Sequence, residues 1–395
     1  MLTSISHLPV NWVSGMKITQ KHFIETDNAF IDGLRDSRML ALNRFYYGIL
    51  PVNETNENNF QVEINTNGES LSVNLTNCRA VTSNGNRIEI INQHFSKHTN
   101  VNEMVNYLNL DSQPYEIYVI IHTNPFDRAP IGEPSKEEIP TRQPHAQPVY
   151  KIDFVLPANF SLNQSTYRSS LVIGKVRLMN RNFSKDNDYF PPCMAISSHS
   201  KLYEVYNDSL KKKVKMIMSD SLEIIRTVRT YKRLLHSVFA GGIMYVAEHT
   251  NQFLIPNITR IDLYDKDITP IDSLSFFIEF LNLHFYLIST LGDDEKNKIT
   301  AEINKMPNHH RYSPQKYAEL TRVPYNHDDI GPVVKKLSDH LEVLTEVFRF
   351  YVKVINDIST YEERELRSDT HHYTGQPINQ QNNNNNSSGG LGWNF

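Results

Sequence analysis

Cysteine is nearly absent: Cys78 and Cys193 are the only two in 395 residues. Two cysteines so far apart exclude a disulfide framework and a cysteine-built zinc site, and they fit a reducing compartment. An excess of one charge is also missing. Forty basic side chains against 44 acidic ones leave a net charge of −4, which gives no electrostatic footprint for nucleic acid. Long hydrophobic runs are lacking. The most apolar stretch, 271–291, is interrupted by Asp272, Glu279, Asn282 and His284. No direct membrane insertion is expected, and a membrane role would work through a partner. Residues 1–7 have neither the basic start nor the apolar core of a signal peptide.

The patterns that carry chemistry are missing as well. No glycine-rich phosphate loop follows a strand, and there is no G-x-S-x-G elbow or H-E-x-x-H helix. His309 and His310, with His327, Asp328 and Asp329, are types that bind divalent metal. A loop containing Pro314 and Pro324 separates the two groups. Asp328 and Asp329 read better as residues that fix a loop and cap a helix starting near Gly331. The lysines at 211, 212, 213 and 215 read as the solvated flanks of a helix. No enzyme and no cofactor are expected.

What the chain does have is a change of period. In its first half, alternating segments at 60–64 and 71–75 flank Asn67–Gly68, and 87–91 follows Asn84–Gly85. Further short strands are expected at 115–121, 150–155 and 171–176. Such a set predicts an antiparallel sandwich. A leading helix is expected at about 19–47, where Phe23, Phe30, Leu34, Ala41 and Phe45 recur at helical spacing. Six prolines between 124 and 150 predict an extended surface loop there, or one that grips a neighbouring subunit.

After residue 193 the apolar residues step by four and three. Ile217, Ile224, Val228, Leu235 and Val238 belong to one seam. Leu337, Leu341, Leu344 and Phe348 belong to a second. Such seams face either another copy of the chain or the chain's own helices in a closed bundle. Gly241–Gly242 reads as a stop to the first long helix, and Thr269–Pro270 as the start of a third running to Leu291. The Asn-rich segment 380–390 reads as a flexible tether, ending in Trp393 and Phe395 as a short motif able to reach a partner.

Three stretches carry a family resemblance. The first holds Trp12, Gly15, Met16, Ile18, His22 and Phe23; Ser14, Lys17, Gln20 and Lys21 depart from its pattern. The second is the double proline Pro191–Pro192, where the period changes. The third is Tyr325-Asn326-His327-Asp328-Asp329, with Asn326 in place of Asp. In this order they resemble the TssK family, baseplate subunits of type VI secretion systems, over roughly residues 9–360.

The resemblance implies an α+β multidomain protein. Residues 1–192 would form a β-sandwich like the shoulder of phage receptor-binding proteins, 193–366 an α-helical bundle or coiled-coil domain, and 367–395 a flexible tail. It further implies a cytoplasmic homotrimer, peripheral at the inner membrane. TssG-like and TssF-like wedge proteins and a membrane-anchor complex are its implied partners, and the signature residues serve packing. Typical members continue with a compact C-terminal domain that the sequence after 360 lacks, so a reduced C-terminal region is expected, with the anchor recruited differently. A second functional class open to this sequence is a receptor- or glycan-binding module on a helical stalk, and a third is a metal-dependent hydrolase built on the His/Asp cluster.

Overall fold

A computed structural model describes residues 4–52, 58–111, 114–135, 137, 139–161, 165–320 and 325–372. For 361–372 and a few other helical positions, Leu235 among them, only the backbone is described. The tail with Trp393 and Phe395 lies outside these residues, as does Pro324.

The fold is α+β, with a β-rich N-terminal region followed by a helical one. Helix α1 (Gln20–Met39) precedes strands β1 (Gly48–Ile49), β2 (Phe60–Asn67), β3 (Ser70–Val81), β4 (Arg87–Ile90) and β5 (Phe95–Asn100). Strand β3 pairs antiparallel with each of the other four. Helix α2 (Val101–Leu108) leads to a second sheet of β6 (Tyr115–Ile131), β7 (His145–Val155), β8 (Ser170–Met179) and β9 (Asn182–Lys185). Its order is β7-β6-β8-β9, with the short helix α3 (Ser165–Arg168) before β8. The turns read from sequence are present: Gly68 and Gly85 have φ of 57° and 76°, where an L side chain is disfavoured. The sheets meet tightly at Gly174, where a Cβ would lie 2.3 Å from Ile64 Cδ1.

Two expectations in this region are corrected. The proline-rich stretch is not mainly a loop. Strand β6 runs through Pro125 and Pro130 and pairs with β7 as far as Ile131↔His145, with the register shifting between Asn124 and Arg128. Pro125 is tolerated because it falls within that irregularity, whereas Pro130 stands in register opposite Ala146. The leading helix ends at Met39, and its apolar spacing does not mark a buried face. It buries Asp32, Arg35 and Met39, while Phe23, Phe30 and Leu34 are exposed. Polar pairing overrides the stripe, since Arg35 Nε donates to Asp32 Oδ1 at 2.7 Å.

The helical region holds α4 (Ser200–Glu204), a π-helical stretch (Val205–Lys211), α5 (Lys212–Thr230), α6 (Val238–Tyr264), α7 (Pro270–Thr290), α8 (Asp293–Ile303), α9 (Gln315–Leu320) and α10 (Gly331–His372). Helix α5 packs against both α6 and α10. Ile217, Ile224, Val228, Leu337, Leu341, Leu344 and Phe348 are all buried in one core, so both seams close within the chain. The first seam breaks earlier than its spacing predicts. Helix α5 stops at Thr230, Leu235 sits in a 3₁₀ turn (Lys232–His236), and Val238 opens a new helix with Ser237 as its cap. Gly241 and Gly242 therefore lie in the first turns of α6 and do not stop a helix. Gly242 marks a close approach, its missing Cβ falling 3.2 Å from Ile299 Cδ1 in α8. Helix α7 begins as read, with Thr269 Oγ1 accepting the Asp272 N–H at 3.2 Å. By length and composition α7 could cross a membrane, but here it lays Phe276, Phe277, Phe280 and Leu281 in the core. The lysine run is not wholly a solvated face: Lys211 is buried and pairs with Asp262 and Asp265 at 2.8 and 3.1 Å.

Candidate functional site

The best-built polar site lies where the sheets meet the helices. Strand β1 is only two residues long, yet it is held on both sides. Leu50 N–H bonds to Arg79 O at 2.9 Å, and Ile49 N–H to Pro192 O at 2.9 Å. Met194 N–H returns to Ile49 O at 3.0 Å. This approach requires Gly48, with φ of 115° and a missing Cβ only 2.2 Å from Pro192 O. Pro191 and Pro192 are buried. Neither brings an N–H that the crossing would leave unpaired.

The third signature lands on Tyr47, the residue just before this strand. His327 Nε2 donates to the Tyr47 carbonyl at 2.9 Å, which leaves Nδ1 to accept the Tyr325 hydroxyl at 2.8 Å. The Tyr47 and His327 rings meet edge to face at 4.7 Å, and the Tyr47 hydroxyl donates to Asp328 Oδ1 at 2.6 Å. Asp329 accepts Lys175 Nζ at 2.9 Å. Lys175 also meets Glu116 at 2.9 Å and Asp186 at 3.7 Å, and Arg177 donates to Asp186 at 3.0 Å. Asp329 stands two residues ahead of α10, so the ion cluster ties that helix to β6 and β8. The carboxylates of the two aspartates bond to Tyr47 and Lys175, and Asp329 Oδ1 lies 3.5 Å from where a Cβ of Gly331, the first residue of α10, would sit.

Electrostatics follow from burial. Desolvation pushes the Asp328 carboxyl up to about 6, the Asp329 charge adds to this, and the Tyr47 bond opposes it. Burial drops His327 to about 4, so it stays neutral. Lys175 keeps its charge: burial opposes it, but the bonds from Asp329 and Glu116 outweigh that and hold its pKa above the ordinary lysine value. His309 and His310 sit in a separate 3₁₀ turn. Among the described residues, no group of three His, Cys, Asp or Glu side chains is placed to hold a metal.

The first signature lies apart from this junction. Gly15, at φ 81°, is the third residue of a turn closed by Met16 N–H to Val13 O at 3.2 Å. His22 Nδ1 accepts the Thr19 N–H at 3.2 Å at the start of α1, and Trp12 meets the His22 ring edge-on. These are turn and cap roles. Trp12, Ile18 and Phe23 are half or more exposed, which corrects the reading of the segment as packing. Tyr47, Lys175, Glu116 and Asp186 were not singled out from sequence. Lys175 alone had a signal, as a lone cation in the apolar run 171–176.

No protein-family model matches the chain, and no curated protein does. The solved structures it is similar to include one described as a crystal structure of TssK, at 14% identity and a TM-score of 0.49, covering 87% of this chain and 70% of that one. Another is a TssK-TssF-TssG baseplate subcomplex of a type VI secretion system, at 9% identity and a TM-score of 0.40, covering 86% of this chain and 99% of that one. A third is a type VI secretion baseplate complex, at 10% identity and a TM-score of 0.38, covering 85% and 98%.

Proposed function

We propose that this chain is a TssK-type baseplate subunit of a contractile injection system, a structural adaptor without enzymatic activity. Residues 1–192 act as a β-sandwich that docks on wedge proteins of the TssF and TssG kind. Residues 193–366 form a helical domain in a homotrimer on the cytoplasmic side of the inner membrane, linked to the membrane-anchor complex.

The observation that carries the reading is the junction. Two of the three signature stretches, Pro191–Pro192 and Tyr325–Asp329, meet on the consecutive residues Tyr47 to Ile49 although more than 130 residues separate them. A subunit that couples a contracting tail to an envelope must pass load from one end to the other without a hinge. The cluster around Lys175 fastens the sheets to the base of α10, a 42-residue helix that reaches roughly 60 Å. That ties the sheets to the start of α10 through a buried ion pair.

Co-expression with TssF- and TssG-type proteins from the same source, followed by native mass measurement, tests the proposal. The expected result is a trimer together with a larger species containing a wedge protein. A monomer that binds neither overturns it.

A further inference from the structure

A cavity of about 240 Å³ lies where β2 of the first sheet faces β8 and β9 of the second. At about 30 Å³ per water it has the volume of roughly eight waters. That is below the roughly 300–1,000 Å³ of a cofactor site and leaves room for one side chain. Val62, Ile64, Ile173 and Pro191 give it an apolar lining, and Gln61 and Lys185, both exposed, open it to solvent. Lys175 and Asp186 also line it, but their charges are taken up in the ion cluster. Lys185 has no carboxylate partner among the described residues. Neither has nearby Lys201, whose Nζ donates to the Asn187 carbonyl. His199 adds a donor to the lining. Its Nδ1 accepts the Leu202 N–H at 3.3 Å, so the neutral ring carries its proton on Nε2. Burial keeps that ring neutral, and the charges of Lys201 and Lys185 add to the effect. Among the described residues the Nε2–H has no hydrogen-bond partner. The rings of Phe60 and Phe190, at 5.9 and 5.7 Å, hold the imidazole in place.

We propose that this cavity receives the carboxylate of a glutamate side chain from a partner polypeptide, held by Lys185 and His199. The Lys185 ammonium and the His199 Nε2–H give the carboxylate two charge-assisted bonds, and its short apolar stem lies on the aliphatic lining. A phosphate suits the site less, because the lining has no arginine to grip it with a planar fork. Only one charged end is matched, so the rest of the ligand stays outside the mouth, as the backbone of a side chain would. The His199 donor is fixed before the ligand arrives, so little of its ordering remains to be done on binding. This inference stands apart from the baseplate reading and concerns the chain by itself.

The test titrates the purified full chain with N-acetyl-glutamate amide, read by saturation-transfer NMR on the probe and by the His199 ring signal. N-acetyl-glutamine amide, glutarate and inorganic phosphate are titrated beside it. The glutamate probe is expected to bind and to move the His199 signal, while the glutamine probe does neither. Lys185→Gln is expected to weaken binding about tenfold or more, with an unchanged Tm because Lys185 is exposed. His199→Asn keeps a helix-capping side chain but lacks the Nε2 donor, and is expected to weaken binding likewise. A glutamine probe that binds equally, or binding untouched by Lys185→Gln, overturns the inference. So does a His199 signal that no probe moves, or phosphate bound as tightly as the glutamate probe. Glutarate bound without the blocked glutamate would make the ligand a free small molecule and overturn the polypeptide occupant. None of these outcomes touches wedge binding, whose failure strikes only the baseplate reading.

Discussion

Lys175 is 5% exposed and is ringed by Glu116, Asp186 and Asp329. Removing its charge leaves the buried Asp186 and Asp329 carboxylates, with the half-exposed Glu116, without their shared cation. Lys175→Met is therefore expected to cost about 3–5 kcal/mol, read by chemical denaturation. A milder loss for Lys175→Met in an Asp329→Asn background would show the two to be coupled. Asp328 makes a prediction of opposite sense. Its folded pKa, about 6, lies above the ordinary 3.8, so the folded state holds the proton more tightly. The stabilisation this gives is complete below pH 3.8 and gone once the pH passes 6. Asp328→Asn cannot lose that proton and can still accept the Tyr47 hydroxyl. Relative to the native chain it should gain about 2–3 kcal/mol as the pH rises from 4 to 6, measured as Tm against pH. A flat difference across that range would show the carboxyl to be solvated.

At the scale of elements, single missing Cβ atoms set how closely segments approach. Gly48→Ala drives a Cβ into the Pro192 carbonyl at a backbone φ of 115°. A loss of about 3 kcal/mol or more is expected from thermal unfolding. The neighbouring glycines of α6 should part company. Nothing lies within 4 Å of a Cβ at Gly241, whereas Gly242 faces Ile299. Gly241→Ala should gain about 0.5–1 kcal/mol through helix propensity. Gly242→Leu should lose about 1–3 kcal/mol by pushing α6 off α8. Element types were readable where two signals agreed, as in the Asn67–Gly68 hairpin and at Thr269–Pro270. They misled where one periodic signal stood alone. The seam through Val228, Leu235 and Val238 keeps its apolar period, but a turn interrupts the backbone there. The stripe of α1 has helical period and is not buried.

Across the whole molecule, neutral buried histidines set the acid limit. Burial lowers His199 to about 4, His284 to about 3 and His327 to about 4. Each lies below the ordinary 6.5, so the unfolded chain binds more protons between those values. Their contribution to stability is whole above pH 6.5 and is lost as the pH falls toward 4. The shifts correspond to about 3 kcal/mol or more per histidine, and Asp328 offsets only one of them. Tm should drop steeply between pH 6.5 and 4, and His284→Phe should flatten that slope. A native chain with level Tm over this window would contradict the burial of these rings.

The sequence by itself determined the division into a β-rich and a helical half, because side-chain period is a local property that neighbouring residues report directly. It also determined the short-range turns and caps of the first signature, Gly15 and His22, whose partners lie within three residues. Only the tertiary structure decided the rest. It placed Tyr47, Lys175 and Asp329 on one junction, since pairing across 154 or 280 residues leaves no periodic trace. It closed the helical seams inside one chain, and it turned the apolar side of α1 outward, because a buried Asp32–Arg35 pair with satisfied hydrogen bonds outweighed the stripe.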